Sequence, residues 1–294
     1  MGVMTERFFT SSNKAHTIIT IMINNKEKSK MTLSFCSFSS GSSGNCYLIK
    51  SETTAILVDA GISGKKIFEG LDMTNTPREQ LAALLITHEH VDHTKSLRTM
   101  MNRQKTLKAY ANAMTWKQIS CPICEEQKGI FQTGDTFLIG DILVKAFPVS
   151  HDAAEPVGYT FSSRDKKIGI VTDTGCMSEE IISSIIDTDI LILEANHDVD
   201  MLKLGKYPWF LKQRVLGAEG HLSNEAAGET ILRLLSENKK ERQVLLAHLS
   251  RENNFPEMAY QTVKNILEEA DYYIGKHLKL NTIIRDEVSL IYEI

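Results

Sequence analysis

The stretch Leu84-Leu85-Ile86-Thr87-His88-Glu89-His90-Val91-Asp92-His93 constrains this chain more than any other. It opens with apolar residues suited to a buried strand. Three histidines and an aspartate then fall within the next six positions, at the foot of a segment from Thr94 to Met101 that reads as a helix. A core does not hold that much imidazole without reason, because each buried ring brings nitrogens that need a partner. Neutral imidazole and carboxylate are good ligands for a borderline divalent cation. The alternation of His88 and His90 puts two rings on one side, while Asp92 and His93 can turn back from the first helical turn. The stretch therefore reads as half of a metal site; the other reading is a solvated His-rich loop or a turn in which Asp92 caps free amides. A zinc helix of the His-Glu-x-x-His type is excluded, since Asp92 stands where its second histidine would fall.

With 294 residues, 42% of them hydrophobic, the chain can bury a large core and reads as one domain from residue 31 to residue 294. Residues 1–30 differ: a short apolar run, Thr17 to Ile23, is followed by polar and basic Asn24 to Lys30, with no clear cleavage site. They read as a disordered or misassigned leader, with Met31 as the start of the domain. A formal charge of -4 gives no global pull toward polyanions, so contact with nucleic acid has to come from a local basic patch and from metal ions. Five cysteines with one close pair, Cys121 and Cys124, fit reduced thiols in the cytoplasm better than a disulfide framework, and that pair reads as structural. No run approaches the roughly eighteen apolar residues of a membrane span.

Further along, strands repeatedly deliver a histidine or a carboxylate. Thr54 to Val58 ends in Asp59, placed to orient the metal histidines from behind or to act as a plain turn cap. The strand Asp141 to Phe147 leads to His151, Lys167 to Val171 to Asp173, Asp189 to Leu193 to Glu194, and Val244 to Ala247 to His248. Side chains at one set of strand ends converge on one rim, where sites are built. The loop Ser39 to Asn45 has the small residues of an anion-binding nest, with Ser42, Ser43 and Asn45 as candidate phosphate contacts, or it is an ordinary hairpin loop. Asp198 to Gly220 reads as irregular. There Lys203, Lys206, Lys212 and Arg214 interleave with Tyr207, Trp209 and Phe210, which suits a nucleic-acid backbone with bases stacked on rings, or else a packed surface hairpin. Lys206, Trp209, Lys212 and Arg214 are the substrate-binding candidates. Helices are expected over Ser63 to Leu71, Met114 to Ile119, Glu179 to Ile186, Leu222 to Glu237 and Pro256 to Glu269, and a closing strand over Ser289 to Tyr292.

Thr87 to His93, taken with Asp59, His151, Asp173 and His248, resembles the metallo-β-lactamase superfamily. Ser40 to Asn45, Pro148 to Ala153, Glu194 to Asp198, Gly220 to Asn224 and Ala247 to Ser250 are similar to its YycJ/WalJ group of nucleases. The resemblance spans residues 33 to 255. It implies a four-layer αββα sandwich with two mixed sheets, helices on the outer faces and two divalent metal ions at one edge. Carried over by position, His88, His90 and His151 would hold one ion, Asp92, His93 and His248 the other, and Asp173 would bridge them. Asp92 and Asp173 would thereby take part in catalysis, with two cations about 3.5–4 Å apart activating a shared water against a phosphodiester. Histidine and carboxylate ligands accept zinc, manganese or iron. His221 would act as general acid with Glu194 holding its ring protonated, as in related transfer-RNA-processing nucleases.

The resemblance also implies a DNA exonuclease acting from a 5′ end and linked to mismatch repair, with DNA and a repair protein as partners. An RNA-processing nuclease, a hydrolase of lactones, thioesters or β-lactams, and a metal-binding scaffold without turnover are the alternatives. No room exists for the inserted second domain of the larger nucleases, so substrate capture falls to Lys203 to Arg214. The sequence leaves oligomeric state open.

Overall fold

The computed structural model describes residues 33–294, and the leader expected over residues 1–30 lies outside them. One sheet contains β1 (Ser34–Ser39), β2 (Cys46–Lys50), β3 (Ala55–Val58), β4 (Leu81–Leu85), β5 (Lys108–Asn112) and β6 (Lys128–Phe131). The other contains β7 (Thr136–Ile139), β8 (Ile142–Pro148), β9 (Val157–Ser163), β10 (Lys166–Val171), β11 (Ile190–Glu194), β12 (Arg242–Ala247) and β13 (Leu278–Thr282), and the short β14 (Tyr292–Glu293) returns to pair with β1. The two sheets are built alike. From β14 through β3 the pairings of the first are antiparallel and from β3 to β6 parallel. From β7 to β10 the second is antiparallel, and from β10 to β13 parallel. In each sheet the parallel half carries its strands' C-terminal ends toward one rim, the usual place for a ligand in such sheets.

Among the described residues the helices are α1 (Gly64–Met73), α2 (Val91–Thr94), α3 (Leu97–Arg103), α4 (Ala113–Gln118), α5 (Glu179–Ile185), α6 (Val199–Leu204), α7 (Trp209–Leu216), α8 (Asn224–Glu237) and α9 (Pro256–Glu269). Ile49, Ile56, Val58, Tyr159, Ile170 and Leu245 fill the space between the sheets. Leu57 and Leu84 pack outward against Ile67 and Leu71 of α1 and Met100 of α3. Leu191 and Leu246 pack outward against Ile185 of α5, Ile231 of α8 and Val263 of α9. The result is an αββα sandwich. Strands covered on both faces lose the alternation of a half-exposed strand, so β3 (Ala-Ile-Leu-Val) and β11 (Ile-Leu-Ile-Leu-Glu) are buried throughout. Each such leucine or isoleucine contributes about 1.5–3 kcal/mol by leaving water. Serines start the helices: Ser63, Ser178 and Ser223 each accept a hydrogen bond from an amide three residues on, capping α1, α5 and α8.

Several expected elements differ. The helix read over Thr94 to Met101 is two short ones, because the backbone bond that would join them is diverted: the Ser96 amide donates to the Ala60 carbonyl (2.8 Å), and the Asp92 carbonyl accepts from Asn45 (2.8 Å). Asp198 to Gly220 is helical rather than irregular. The Asp198 carboxylate caps α6 at the Met201 amide (2.8 Å), and Pro208 precedes α7. Strands β6 (Lys-Gly-Ile-Phe) and β13 (Leu-Lys-Leu-Asn-Thr) are not among the strands expected from sequence; both are edge strands with exposed positions and lack the continuous apolar run of β3 or β11. The closing strand shrinks to β14, as Ser289 instead clasps Ser37 through its hydroxyl (2.9 Å) and its amide (2.8 Å). All five cysteines carry free thiols. No helix among the described residues is long and apolar enough to cross a membrane.

The turn after β3 is pressed against the His-rich loop. Ala60 donates to the His93 carbonyl (2.7 Å), and a Cβ on Gly61 would lie 1.6 Å from the Asp92 carbonyl oxygen. Only glycine leaves room for so close an approach. Gly61→Ala is therefore expected to push Asp92 and His93 outward and to cost about 2 kcal/mol or more of stability, read as a lower urea midpoint.

Candidate metal centre

Six strand exits meet at the rim: Asp59 after β3, Thr87 to His93 after β4, His151 after β8, Asp173 after β10, Glu194 ending β11 and His248 after β12. Asp59, Asp173 and His248 hold left-handed backbone angles (φ 62°, 57° and 56°). A non-glycine residue adopts that region at a cost of about 1–3 kcal/mol, and such strain clusters at functional sites.

Ligand atoms of His88, His90 and His151 lie within 4.8 Å of one another, as do those of Asp92, His93 and His248, and of His88, His93 and Asp173. Asp173 is common to both ends of the cluster: Oδ2 is 3.6 Å from His93 Nε2, and Oδ1 is 3.4 Å from His248 Nε2 and 3.9 Å from His151 Nε2. Burial would raise its carboxyl, but His248, His93, His88 and His151 together hold it well below the usual carboxylate range.

The donors fit a divalent cation. Asp173 Oδ2 and His248 Nε2 are buried without a hydrogen-bond partner, which costs about 1–3 kcal/mol per group unless something else satisfies them. His88 Nε2 and His90 Nδ1 are 3.0 Å apart, close to the roughly 3.3 Å expected of two nitrogens sharing a tetrahedral ion.

Four of the rings, His93, His151, His248 and His221, are held from behind, which fixes the nitrogen each presents. His93 donates from Nδ1 to Asp59 Oδ2 (2.8 Å), and Asp59 in turn accepts from the Thr87 amide and hydroxyl (2.9 Å each). Burial would depress the His93 imidazole, but Asp59 and Asp173 lift it to about 10: the pocket's field favours a cation at this ring. His151 donates from Nδ1 to the Gly220 carbonyl (3.1 Å). His248 and His221 both donate from Nδ1 to one oxygen of Glu194 (2.8 Å each), whose other oxygen accepts from the amides of Thr174 (2.9 Å) and Leu222 (3.2 Å). Burial would raise the Glu194 carboxyl, but the two imidazoles hold it at about 2. The same carboxylate lifts His221 to about 9 against burial. That Glu194 also grips His248 was not foreseen in the sequence, where nothing local links them.

The rim opens into a cavity of about 290 Å³ lined by His90, Asp92, His151, Asp173, His221 and His248, with Ser42, Asn196, Tyr207, Leu211 and Arg214 around them. Among the expected substrate contacts, Ser42 and Arg214 line it. Ser43 is turned to Asp286 (2.8 Å) and Arg285 (3.2 Å), Lys206 faces a separate surface depression, and Trp209 is exposed outside the cavity. Two expectations are corrected. Asn45 is fully buried: its amide oxygen accepts from the Gly41 amide (2.8 Å) and the Tyr47 hydroxyl (3.2 Å), which turns its NH2 to His93 Nε2 (3.0 Å). Asn45 is walled off from the cavity, so it does not meet a phosphate. Lys212 is 9% exposed and its ammonium donates to the carbonyls of Lys203 and Gly205 (2.7 Å each), ending α6. Burying that charge without those carbonyls would be costly, so it is not free for a ligand. Asn196 and Leu211 were not among the sequence candidates, and Tyr207 was named only as one of the aromatics interleaved with the basic residues of its segment.

A family model described as a β-lactamase superfamily domain matches residues 54–249. The chain is 39% identical to the exodeoxyribonuclease WalJ of Streptococcus pneumoniae over 271 residues, 90% of this chain and all of the relative. It is 37% identical to the exodeoxyribonuclease YycJ of Bacillus anthracis over 254 residues, 85% of this chain and 95% of the relative. Its fold is similar to the crystal structure of the metallo-β-lactamase fold protein YhfI from Bacillus subtilis, with a TM-score of 0.67 at 17% identity, covering 90% of this chain and all of that one.

Replacing Asp59 by Asn keeps the size of the side chain but removes the charge that His93 Nδ1–H faces. Asp59→Asn is expected to weaken divalent-metal binding about 10- to 100-fold, measured by competition with a chromogenic chelator, while far-ultraviolet circular dichroism stays native.

Proposed function

Because this chain belongs to the β-lactamase superfamily and, within it, to the group of the WalJ and YycJ exodeoxyribonucleases, we propose that it is a metal-dependent exodeoxyribonuclease whose site is the histidine–carboxylate rim. The observation that carries the reading is the meeting of His88, His90 and His151 with Asp92, His93 and His248 around a single buried carboxylate, Asp173. In this reading His88, His90 and His151 would hold one divalent ion, zinc or manganese, and Asp92, His93 and His248 another, with Asp173 within reach of both groups. Such ions would supply an acidified water and offset charge on the phosphodiester.

The chain's own residues supply the rest. Asp59 and Glu194 fix the tautomers of His93 and His248, so that each turns Nε2 to the rim. His221 gives Nδ1 to Glu194 and keeps Nε2 for the cavity, where it hands a proton to the departing oxygen. Glu194 stabilises the protonated ring until that transfer. DNA polarity from a 5′ end and a place in mismatch repair are parts of the same proposal, supported by the group resemblance alone. The Glu194 and His221 pair also favours a second reading, an RNA-processing nuclease, which digestion of matched DNA and RNA strands separates.

Manganese- or zinc-loaded protein is expected to shorten end-labelled DNA, and Asp173→Ala to abolish that activity; full activity in the variant would remove the mechanism. His221→Ala should slow DNA hydrolysis about 10²- to 10⁴-fold, yet affect a p-nitrophenyl phosphodiester far less, because that leaving group needs no proton.

A further inference from the structure

One wall of the cavity is formed by α7 and the residues just before it. Tyr207 stands just before α7, and Leu211, Arg214 and Val215 follow on the side of that helix that lines the cavity. Trp209 and Phe210, 65% and 72% exposed, lie outside the lining. The wall thus offers an aromatic ring, an aliphatic side chain and a guanidinium in sequence, facing the rim.

Arg214 is aimed rather than loose. Its Nε donates to Asp152 Oδ2 (2.5 Å), and Asp152 Oδ1 lies 3.3 Å from His151 Nε2, so the ion pair tethers α7 to the rim. The bond uses Nε alone, which leaves the two terminal nitrogens as a planar fork suited to phosphate oxygens. Tyr207 and Leu211 are half-buried and present faces that a base can cover. The cavity volume, about 290 Å³, is at the lower end of the roughly 300–1,000 Å³ of sites that enclose a small organic ligand. That suits one nucleotide unit. A paired base would bring its partner into the same space.

We propose that Tyr207, Leu211 and Arg214 form a subsite for one unpaired nucleotide of a DNA strand, with Arg214 on its phosphate and Tyr207 against its base. The inference rests on the nuclease reading and adds what that reading lacks: the wall accepts a single strand or a frayed end, because a base enclosed in this cavity beside Tyr207 leaves no room for its pairing partner.

The test uses the full chain loaded with manganese and compares single strands whose terminal nucleotide carries a base or is abasic, together with a blunt duplex. The native enzyme is expected to process the base-bearing single strand at least tenfold faster than the abasic strand or the duplex. Tyr207→Ala should raise KM about ten- to a hundredfold and bring the ratio of base-bearing to abasic rates to near one, while Tyr207→Phe restores the native ratio. Arg214→Gln should slow both strands alike and leave the ratio intact. An unchanged ratio in Tyr207→Ala, or equal rates for abasic and base-bearing ends in the native enzyme, would overturn the subsite alone. A native enzyme that shortens no strand overturns the nuclease reading and the subsite with it.

Discussion

Two buried carboxylates, one at the exit of each sheet, hold the site in place. Asp59 grips His93 on one side of the rim, and Glu194 grips His248 and His221 on the other. Each carboxylate is itself satisfied by backbone amides of the adjoining loops. The charge that would be expensive in isolation is thereby shared among donors that the fold cannot withdraw without unpairing a strand end. An imidazole held at Nδ1 has one nitrogen left to present, and its direction follows from the sheet.

That direction is useful because the two sheets repeat one plan. In both, antiparallel pairing changes to parallel pairing at a strand ending in aspartate, Asp59 after β3 and Asp173 after β10, and both aspartates take a left-handed backbone. The next parallel strand then contributes further residues of the candidate metal centre, Thr87 to His93 after β4 and Glu194 at the end of β11. Stacking the sheets face to face brings these equivalent ends together. Cross-sheet bonds lock the approach: Tyr159 donates its hydroxyl to the Ile86 carbonyl (2.6 Å), and the Ala154 amide donates to Glu89 (2.8 Å). The second of these gives Glu89 a task in joining the two histidine loops.

The loop Ser40 to Asn45 shows how a buried hydrogen-bond chain can resemble a ligand nest in sequence. Small residues there let the chain turn tightly, but the side chains face inward. The His248 amide donates to the Ser40 hydroxyl (2.9 Å), which pairs with the Tyr47 hydroxyl (2.8 Å), which donates to Asn45, which faces His93. One loop from the first sheet therefore steadies a ring from each sheet. Its composition could not reveal this, because the same Ser and Gly content serves an anion nest or a close packing of backbones equally well.

Where chemistry and local order coincide, the sequence was enough. The density of imidazole in Thr87 to His93, the apolar runs of β3, β4 and β11, and the serine at the start of α1 are local facts, and they determined the metal-site reading, the buried strands and the start of that helix. Tertiary structure decided what depends on partners far away in the chain. It made Asn45 a support for His93, Lys212 a cap for α6, and Glu194 a joint clamp on His221 and His248. It also interrupted the helix after His93, because Ala60 and Asn45 took the backbone groups that would have continued it. Local pattern fixes which face of a segment is apolar and which groups can ionise; which atom each group finally meets is set by close packing between sheets, and no window of sequence contains that.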